Sequence, residues 1–194
     1  MTSAGRPTSK IRLGDLDPLE VAADVVAKVL DHVSRIGFGR APAVALDHHG
    51  PSREEMANST DLGRTVQRLC LFAQRGELGD WPDASYGLDA ARNVCETLFS
   101  QAGVPGPFGL GDAEEAAAST GPDDAIGLVL VGAIARGFLA LHRSVTPRQL
   151  ATLAGVSREH ATRLAPELGG RRPRYSIKAP TAQRWLRQNH VAGI

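Results

Sequence analysis

Apolar side chains recur at helical spacing along most of the chain, and clusters of Gly, Pro and small polar residues separate the repeats. In residues 18–36 an apolar stripe is predicted that contains Val21, Val25, Val29 and Val33, beside Ala22 and Leu30, and Asp17 stands at the position of an N-cap. The same spacing predicts further helices over 53–57 after Ser52, 60–75, 86–102 and 112–118. The alternation of apolar and polar residues that is typical of β-strands is nearly absent from this amino-terminal part. We therefore expect these helices to pack around one core.

Residues 123–143 are apolar nearly all round, which raises the question of a membrane span. Arg136 interrupts a stretch that is already too short to cross a bilayer, and Asp124 and Arg143 flank it. The segment therefore predicts a central buried helix. Glycines lower helix propensity, so we expect close approaches of neighbouring helices at Gly127, Gly132 and Gly137.

Two short helices joined by a tight turn are predicted over 146–164. Thr146 and Gln149 form a capping-box pattern at the start of the first helix. Gly155 ends that helix, since a residue without Cβ adopts the left-handed conformation easily. Ser157 caps the second helix, whose outward residues are Arg158, Glu159, His160, Thr162 and Arg163.

This arrangement resembles the helix-turn-helix family of DNA-binding proteins. Ala151 stands at the close-approach position of the first helix, and Leu164 closes the second. Ala161 departs from the family, which more often has a larger aliphatic residue there. A glycine pair, a basic strip, a short Tyr-x-Ile segment and a helix over 179–187 follow. Together these features look like the winged helix-turn-helix of the excisionase and MerR-like group, over about a quarter of the chain.

Charge divides the chain into two parts of opposite sign. Residues 143–194 contain ten basic and two acidic side chains, a net charge of +8, whereas residues 1–142 have a net charge of −7. Phosphate binding requires such a local positive surface, because Lys and Arg displace the counterions of the backbone. The charge therefore favours DNA binding over a helical unit that only packs a core.

The resemblance implies that residues 157–166 enter the major groove as a recognition helix. We expect Arg158, with Thr162 or His160, to contact base edges, and Arg148 and Arg163 to hold phosphates. The basic wing would follow the backbone or an adjacent minor groove. The complete predicted DNA-binding set is Arg148, Ser157, Arg158, His160, Thr162, Arg163, Arg171, Arg172 and Arg174.

The triplet Asp47-His48-His49 resembles a metal-binding motif of phosphoesterases. Those enzymes need further Asp and His ligands on an α/β sheet, and here the other histidines are scattered over predicted helices. The sequence has no Gly-rich phosphate loop, nucleophile elbow or Cys/His zinc spacing. We expect no enzyme activity, no metal and no cofactor. Cys70 and Cys95 are expected to be buried free thiols in a cytoplasmic protein, since no leader pattern opens the chain.

The sequence thus predicts a mostly α-helical protein, with an N-terminal helical bundle and a C-terminal winged helix-turn-helix. The predicted domains are a flexible tail (1–16), a dimerisation or sensor domain (17–122), and a linking helix with the DNA-binding unit (123–194). The expected function is that of a sequence-specific repressor, which binds double-stranded DNA as a homodimer and does not enter a membrane. Either 18–36 or 123–143 would pair across the dimer axis.

Two alternatives remain open at this stage. An architectural DNA protein of a mobile element, excisionase- or partition-like, would bind several adjacent sites and bend DNA. An adaptor of the transcription machinery would bind protein through the basic region and have no affinity for DNA at low salt.

Overall fold

The computed structural model describes residues 11–36, 52–99, 124–170 and 175–194, and it describes 31–36 and 99 by their backbone alone. These parts contain eight α-helices and no β-strand beyond one isolated bridge. The helices are α1 (Pro18–Ile36), α2 (Arg53–Ser59), α3 (Asp61–Arg75), α4 (Ala84–Phe99), α5 (Ala125–Ala140), α6 (Pro147–Ala154), α7 (Arg158–Leu164) and α8 (Ala179–Gln188). The mostly helical class is confirmed. The predicted helix over 112–118 and the triplet Asp47-His48-His49 lie outside the described residues.

Polar caps set the starts of the amino-terminal helices. Asp17 accepts a hydrogen bond of 2.7 Å from the backbone of Leu19, Ser52 forms a capping box, and Thr60 accepts from the third residue of α3. Helix α4 begins at Ala84, two residues earlier than predicted, because the carboxylate of Asp83 caps it by accepting from the backbone N–H of the second helical residue.

Helix α5 lies at the centre of the fold, where it contacts α1, α3, α4, α6 and α8. Twelve of its sixteen residues are buried, which confirms the predicted central helix. Two of the three expected close approaches are confirmed, at Gly132 and Gly137. A Cβ at Gly132 would lie 2.7 Å from the side chain of Leu13, and one at Gly137 would lie 2.5 Å from that of Leu88. Among the described residues, no helix is long and apolar enough to span a membrane.

The residues directly before α1 pack against the core, although the sequence predicts a flexible tail there. A short 3-10 helix, Leu13–Asp15, precedes α1, and Leu13 is only 4% exposed. The side-chain amide of Gln74 donates to the carbonyl oxygens of Leu13 and Leu16, at 2.9 and 2.7 Å. A flexible tail over 1–16 is therefore wrong for residues 11–16, because an apolar side chain in the core fixes them.

One hydrophobic cluster extends through both predicted folded domains. It includes Leu69 and Val94 of the amino-terminal helices and also Leu150, Ile177 and Leu186. Helix α5 supplies the surface that both sets share. The division at residue 123 stays a prediction.

A buried arginine ties the carboxyl-terminal residues to α3. Arg136 is 4% exposed, and no carboxylate among the described residues pairs with it. Its guanidinium donates to the carbonyl oxygens of Ala73 (2.7 Å), Gln74 (2.6 Å), Ala192 (2.7 Å) and Gly193 (3.1 Å). Burial lowers the pKa of Arg136 to about 10. The negative end of the α3 dipole and these carbonyls stabilise the charge.

Candidate nucleic-acid interface

The first helix of the predicted two-helix unit (147–164) begins with a complete capping box. The side-chain oxygen of Gln149 accepts from the backbone N–H of Thr146 at 2.7 Å, and the hydroxyl of Thr146 accepts from the backbone of Gln149 at 3.3 Å. Pro147 occupies the first helical position, which needs no N–H donor. Gln149 is completely buried, so this cap also belongs to the core.

The turn between α6 and α7 forms as the sequence predicts. Gly155 has a φ of +64°, and the hydroxyl of Ser157 accepts from the backbone of His160 at 3.2 Å. Helix α7 ends at Leu164, whereas the prediction ran to 166. Pro166 has no N–H to continue the helical hydrogen bonding, which accounts for the early end.

Helix α7 buries Ala161 and exposes the five residues predicted to face outward. At about 100° per residue, Glu159 and Arg163 lie opposite Ala161, while Arg158 and Thr162 share one flank and His160 lies on the other. Glu159, which the predicted set omits, therefore stands at the middle of the exposed face. The helical period in the sequence already places Glu159 on the outward face of this helix.

The hydroxyl of Thr162 is partly engaged within its own helix. It donates to the backbone carbonyl of Arg158 at 2.8 Å. Its remaining lone pairs and its methyl group stay available on the flank that Arg158 shares.

Acidic partners are distributed unevenly over the cations. In the part of the chain that the structure describes, ion pairs join Lys28, Arg64, Arg68, Arg75 and Arg92 to acidic residues between 61 and 124. In the carboxyl-terminal part, exposed cations have no acidic partner among the described residues: Arg158, Arg163, Lys178 and Arg184. Arg148 is half-buried on α6. Positive charge therefore remains uncompensated around α7 and α8.

The predicted basic wing is described only at its two ends. Arg171, Arg172 and Arg174 lie outside the described residues. Before them, Gly170 donates to the carbonyl oxygen of residue 165 at 2.8 Å; after them, Ile177 forms a two-bond antiparallel bridge with Val145. The expected Tyr-x-Ile strand is thus a single β-bridge. The residues on both sides of the basic segment are held by these backbone hydrogen bonds.

Helix α8 closes this part of the molecule. Ala182 and Leu186 are buried on one face, and Trp185 is half-buried. The side chain of Gln183 donates to the carbonyl oxygen of Leu139 at 3.1 Å, which links α8 to the last turn of α5.

The described residues contain no group of three or more His, Cys, Asp or Glu side chains placed to hold a metal ion. Cys70 and Cys95 are reduced and buried, as predicted, and burial raises their pKa values to about 11 and about 12. Such thiols stay protonated at neutral pH and are poor nucleophiles.

The chain matches no protein-family model, no curated protein and no solved structure at a significant level. Geometry and charge are therefore the grounds for a functional proposal.

Proposed function

We propose that the protein is a sequence-specific regulator of transcription, a repressor that binds double-stranded DNA through a winged helix-turn-helix. The observation that carries the proposal is the exposed face of α7, a capped helix whose Arg158 and Arg163 have no acidic partner among the described residues. The major groove is about 12 Å wide and admits one helix of this kind.

The outward residues of α7 have side chains that suit base edges. Arg158 offers bidentate donors to guanine, and Thr162 on the same flank offers a methyl group and acceptor lone pairs. Glu159 adds an acceptor for the amino group of cytosine. Arg163 and Arg148 bind phosphates, and the basic segment 171–174 follows the backbone or an adjacent minor groove.

Pairing of two copies would extend the short site that one unit covers. Helix α5 buries its surface inside the protomer, so α1 is the remaining candidate of the two helices proposed to pair. Leu30 on α1 is 47% exposed, so this side chain is accessible to a second copy of the helix. We place the regulator in the cytoplasm, where its free thiols and its DNA partner are both expected.

Footprinting on the DNA that flanks the protein's own gene tests this proposal. The expected result is protection of one inverted repeat. Arg158→Ala should cost about 1–3 kcal/mol on that repeat and relax base preference at one position. Arg158→Lys, which keeps the charge and loses the bidentate geometry, should lose specificity while keeping most of the affinity for random DNA. Arg53→Ala on α2 is the control and should change neither.

Two other outcomes of the footprinting and binding experiments would contradict the proposal that the protein is a repressor. Protection of several adjacent sites with bending would identify an architectural DNA protein. An absence of DNA affinity at low salt would leave the protein-adaptor alternative.

A further inference from the structure

We propose that the outer side of α8 is a second phosphate-binding surface, which holds the DNA backbone beside the site that α7 reads. Lys178, Arg184 and Trp185 form this surface, and we call it the α8 surface. The inference rests on the proposed function, since it adds a contact to the same complex.

Helix α8 is held so that its outer side has a fixed orientation. Ala182 and Leu186 are buried beneath it, and the side chain of Gln183 donates to a backbone carbonyl oxygen in the last turn of α5. At about 100° per residue, Arg184 lies opposite the buried face, and Trp185 lies at the boundary between the buried and exposed faces.

The β-bridge places Lys178 beside the base of the two-helix unit. Lys178 directly follows Ile177, which bonds to Val145, and α6 begins two residues after Val145. Side chains alternate along extended backbone, and both bridge residues are buried. Ser144 and Lys178, which lie opposite each other beside the bridge, therefore point outward, and both are exposed. The α8 surface thus adjoins the unit proposed to bind DNA.

Helix stability does not explain the lysine at position 178. Lys178 is the N-cap residue of α8, and its side chain makes no capping hydrogen bond. A cation there stands at the positive end of the helix dipole, where it lowers the stability of the helix. Residues 168–194 contain no acidic side chain that could compensate it. An anionic partner outside the chain accounts for a lysine at this position.

Trp185 adds a neutral donor to the cations of the α8 surface. Its ring is half-buried against the core, and its indole N–H has no hydrogen-bond partner among the described residues. The indole is a donor only, and a tryptophan with one apolar side in the core normally pairs this N–H. A phosphate oxygen is an acceptor that suits it, next to the phosphates that Lys178 and Arg184 neutralise.

Salt dependence of DNA binding by the full-length protein tests the two cations. Each phosphate contact contributes about 0.9 to the slope of log affinity against log salt, so Lys178→Ala combined with Arg184→Ala should lower the slope by about 1.8. The loss of affinity between about 50 and 200 mM salt should then shrink by about 12-fold, on specific and random DNA alike.

The matched control combines Lys28→Ala with Arg53→Ala. It removes one lysine and one arginine from exposed positions on α1 and α2 and should keep the wild-type slope. Lys178→Ala alone should not lower the urea midpoint, because the helix dipole disfavours the lysine. A role in folding alone would have the opposite signature, a lower midpoint with an unchanged salt slope.

The fluorescence of Trp185 tests the contact directly. The chain has two tryptophans, so Trp81→Phe leaves Trp185 as the only one. Its emission should be quenched when this variant is titrated with DNA at low salt. Trp185→Phe is the control, because it keeps only Trp81, which packs edge-on against Phe72, and its emission should not change.

The outcomes separate this inference from the proposed function. If the wild-type protein binds DNA but the double variant of the α8 surface has the slope of its control, α8 does not hold phosphates and the inference is overturned. Unchanged emission of Trp185 on DNA binding overturns it equally, and in both cases the proposed function stands. If the wild-type protein has no DNA affinity at low salt, both proposals fail.

Discussion

Gly193 lies directly against the carbonyl oxygen of Arg75, so close that a Cβ atom at this position would overlap it. The backbone of Gly193 has a φ of +68°, which an L side chain rarely adopts. Arg136 holds the two segments together, because its guanidinium donates both to Gly193 and to Gln74 in the last turn of α3. The end of the described chain is thus part of the packing around α3.

Arg136→Met keeps the apolar stem and removes the donors of the guanidinium. Four backbone carbonyl oxygens would lose a partner, and each buried unsatisfied polar group costs about 1–3 kcal/mol, reduced where water reaches it. We expect the free energy of unfolding to fall by about 3 kcal/mol in urea denaturation. The control Arg53→Met should stay within about 0.5 kcal/mol of the wild type. Equal stability of the two variants would mean that Arg136 is not a structural tie.

His142→Gly should stabilise the protein. His142 lies two residues beyond the end of α5 and has a φ of +55°, and the backbone N–H of Arg143 donates a hydrogen bond of 2.7 Å to the carbonyl oxygen of Phe138. A left-handed conformation costs about 1 kcal/mol for a residue with a Cβ, so glycine should raise the free energy of unfolding by about 0.5–1 kcal/mol. The same exchange at His160, inside α7, should lower stability. A change of the same sign at both positions would contradict this account.

Alkaline pH should destabilise the fold through its two thiols. The pKa of Cys70 is raised to about 11 and that of Cys95 to about 12, from an ordinary value of 9.0, because burial penalises the thiolate. Above pH 9 the unfolded chain therefore loses protons that the native state keeps, and the free energy of unfolding should fall as pH rises from about 9 to 11. The slope is at most about 1.4 kcal/mol per pH unit for each thiol.

Cys95→Ala separates this effect from other groups that titrate in alkali. Urea denaturation in reducing buffer between pH 8 and 11 should give a free energy of unfolding that falls less steeply with pH for the variant than for the wild type. The difference in slope should correspond to about one proton fewer released on unfolding, even though the variant is less stable at pH 8. Parallel curves for wild type and variant would refute the assignment.

The basic segment is tested by its charge. Replacing Arg171, Arg172 and Arg174 with Ala should weaken binding to all DNA sequences and lower the log–log salt slope by about two to three units. Replacing the same three residues with Lys keeps the charge and should keep the slope. If the alanine variant has the wild-type slope, the segment does not contact DNA.

Leu30→Glu tests the proposed homodimer. Light scattering on the full chain should report a dimer for the wild type and a monomer for the variant, since the carboxylate would be buried between two copies of α1. Tyr86→Glu on α4 is the control at another exposed position and should stay dimeric. The full chain is needed because a cut at residue 142 would divide the hydrophobic cluster. A strictly monomeric wild type at tens of micromolar would exclude the repressor dimer and favour the architectural alternative.

Local signals were sufficient to predict most helix starts. The caps at Ser52, Thr60, Thr146 and Ser157 each accept from a backbone N–H three residues ahead, so the information lies within one turn of the chain. The predicted start of α4 was two residues too late, because its cap, Asp83, lies in the segment 76–85, whose composition is typical of a loop between helices.

Contacts between distant residues account for the other differences. Arg136 reads in the sequence as an interruption of an apolar helix, and its partners at residues 73, 74, 192 and 193 are far away along the chain. The burial of Leu13 depends in the same way on the space above Gly132. For the candidate site, helical periodicity gave the exposed residues of α7, but only the fold brings Lys178 beside the start of α6.

Val145 and Ile177 are joined by two backbone hydrogen bonds of 2.9 Å. Residues 146–176 therefore begin and end at the same point of the body, by which we mean helices α1 to α5. The first helix of this stretch, α6, packs against α5. The inward side chains Leu150 and Ala165 must be kept, since they complete the core. Within that constraint, one uninterrupted piece of the gene encodes both helices of the two-helix unit, so it can be replaced while the helices of the body keep their sequence.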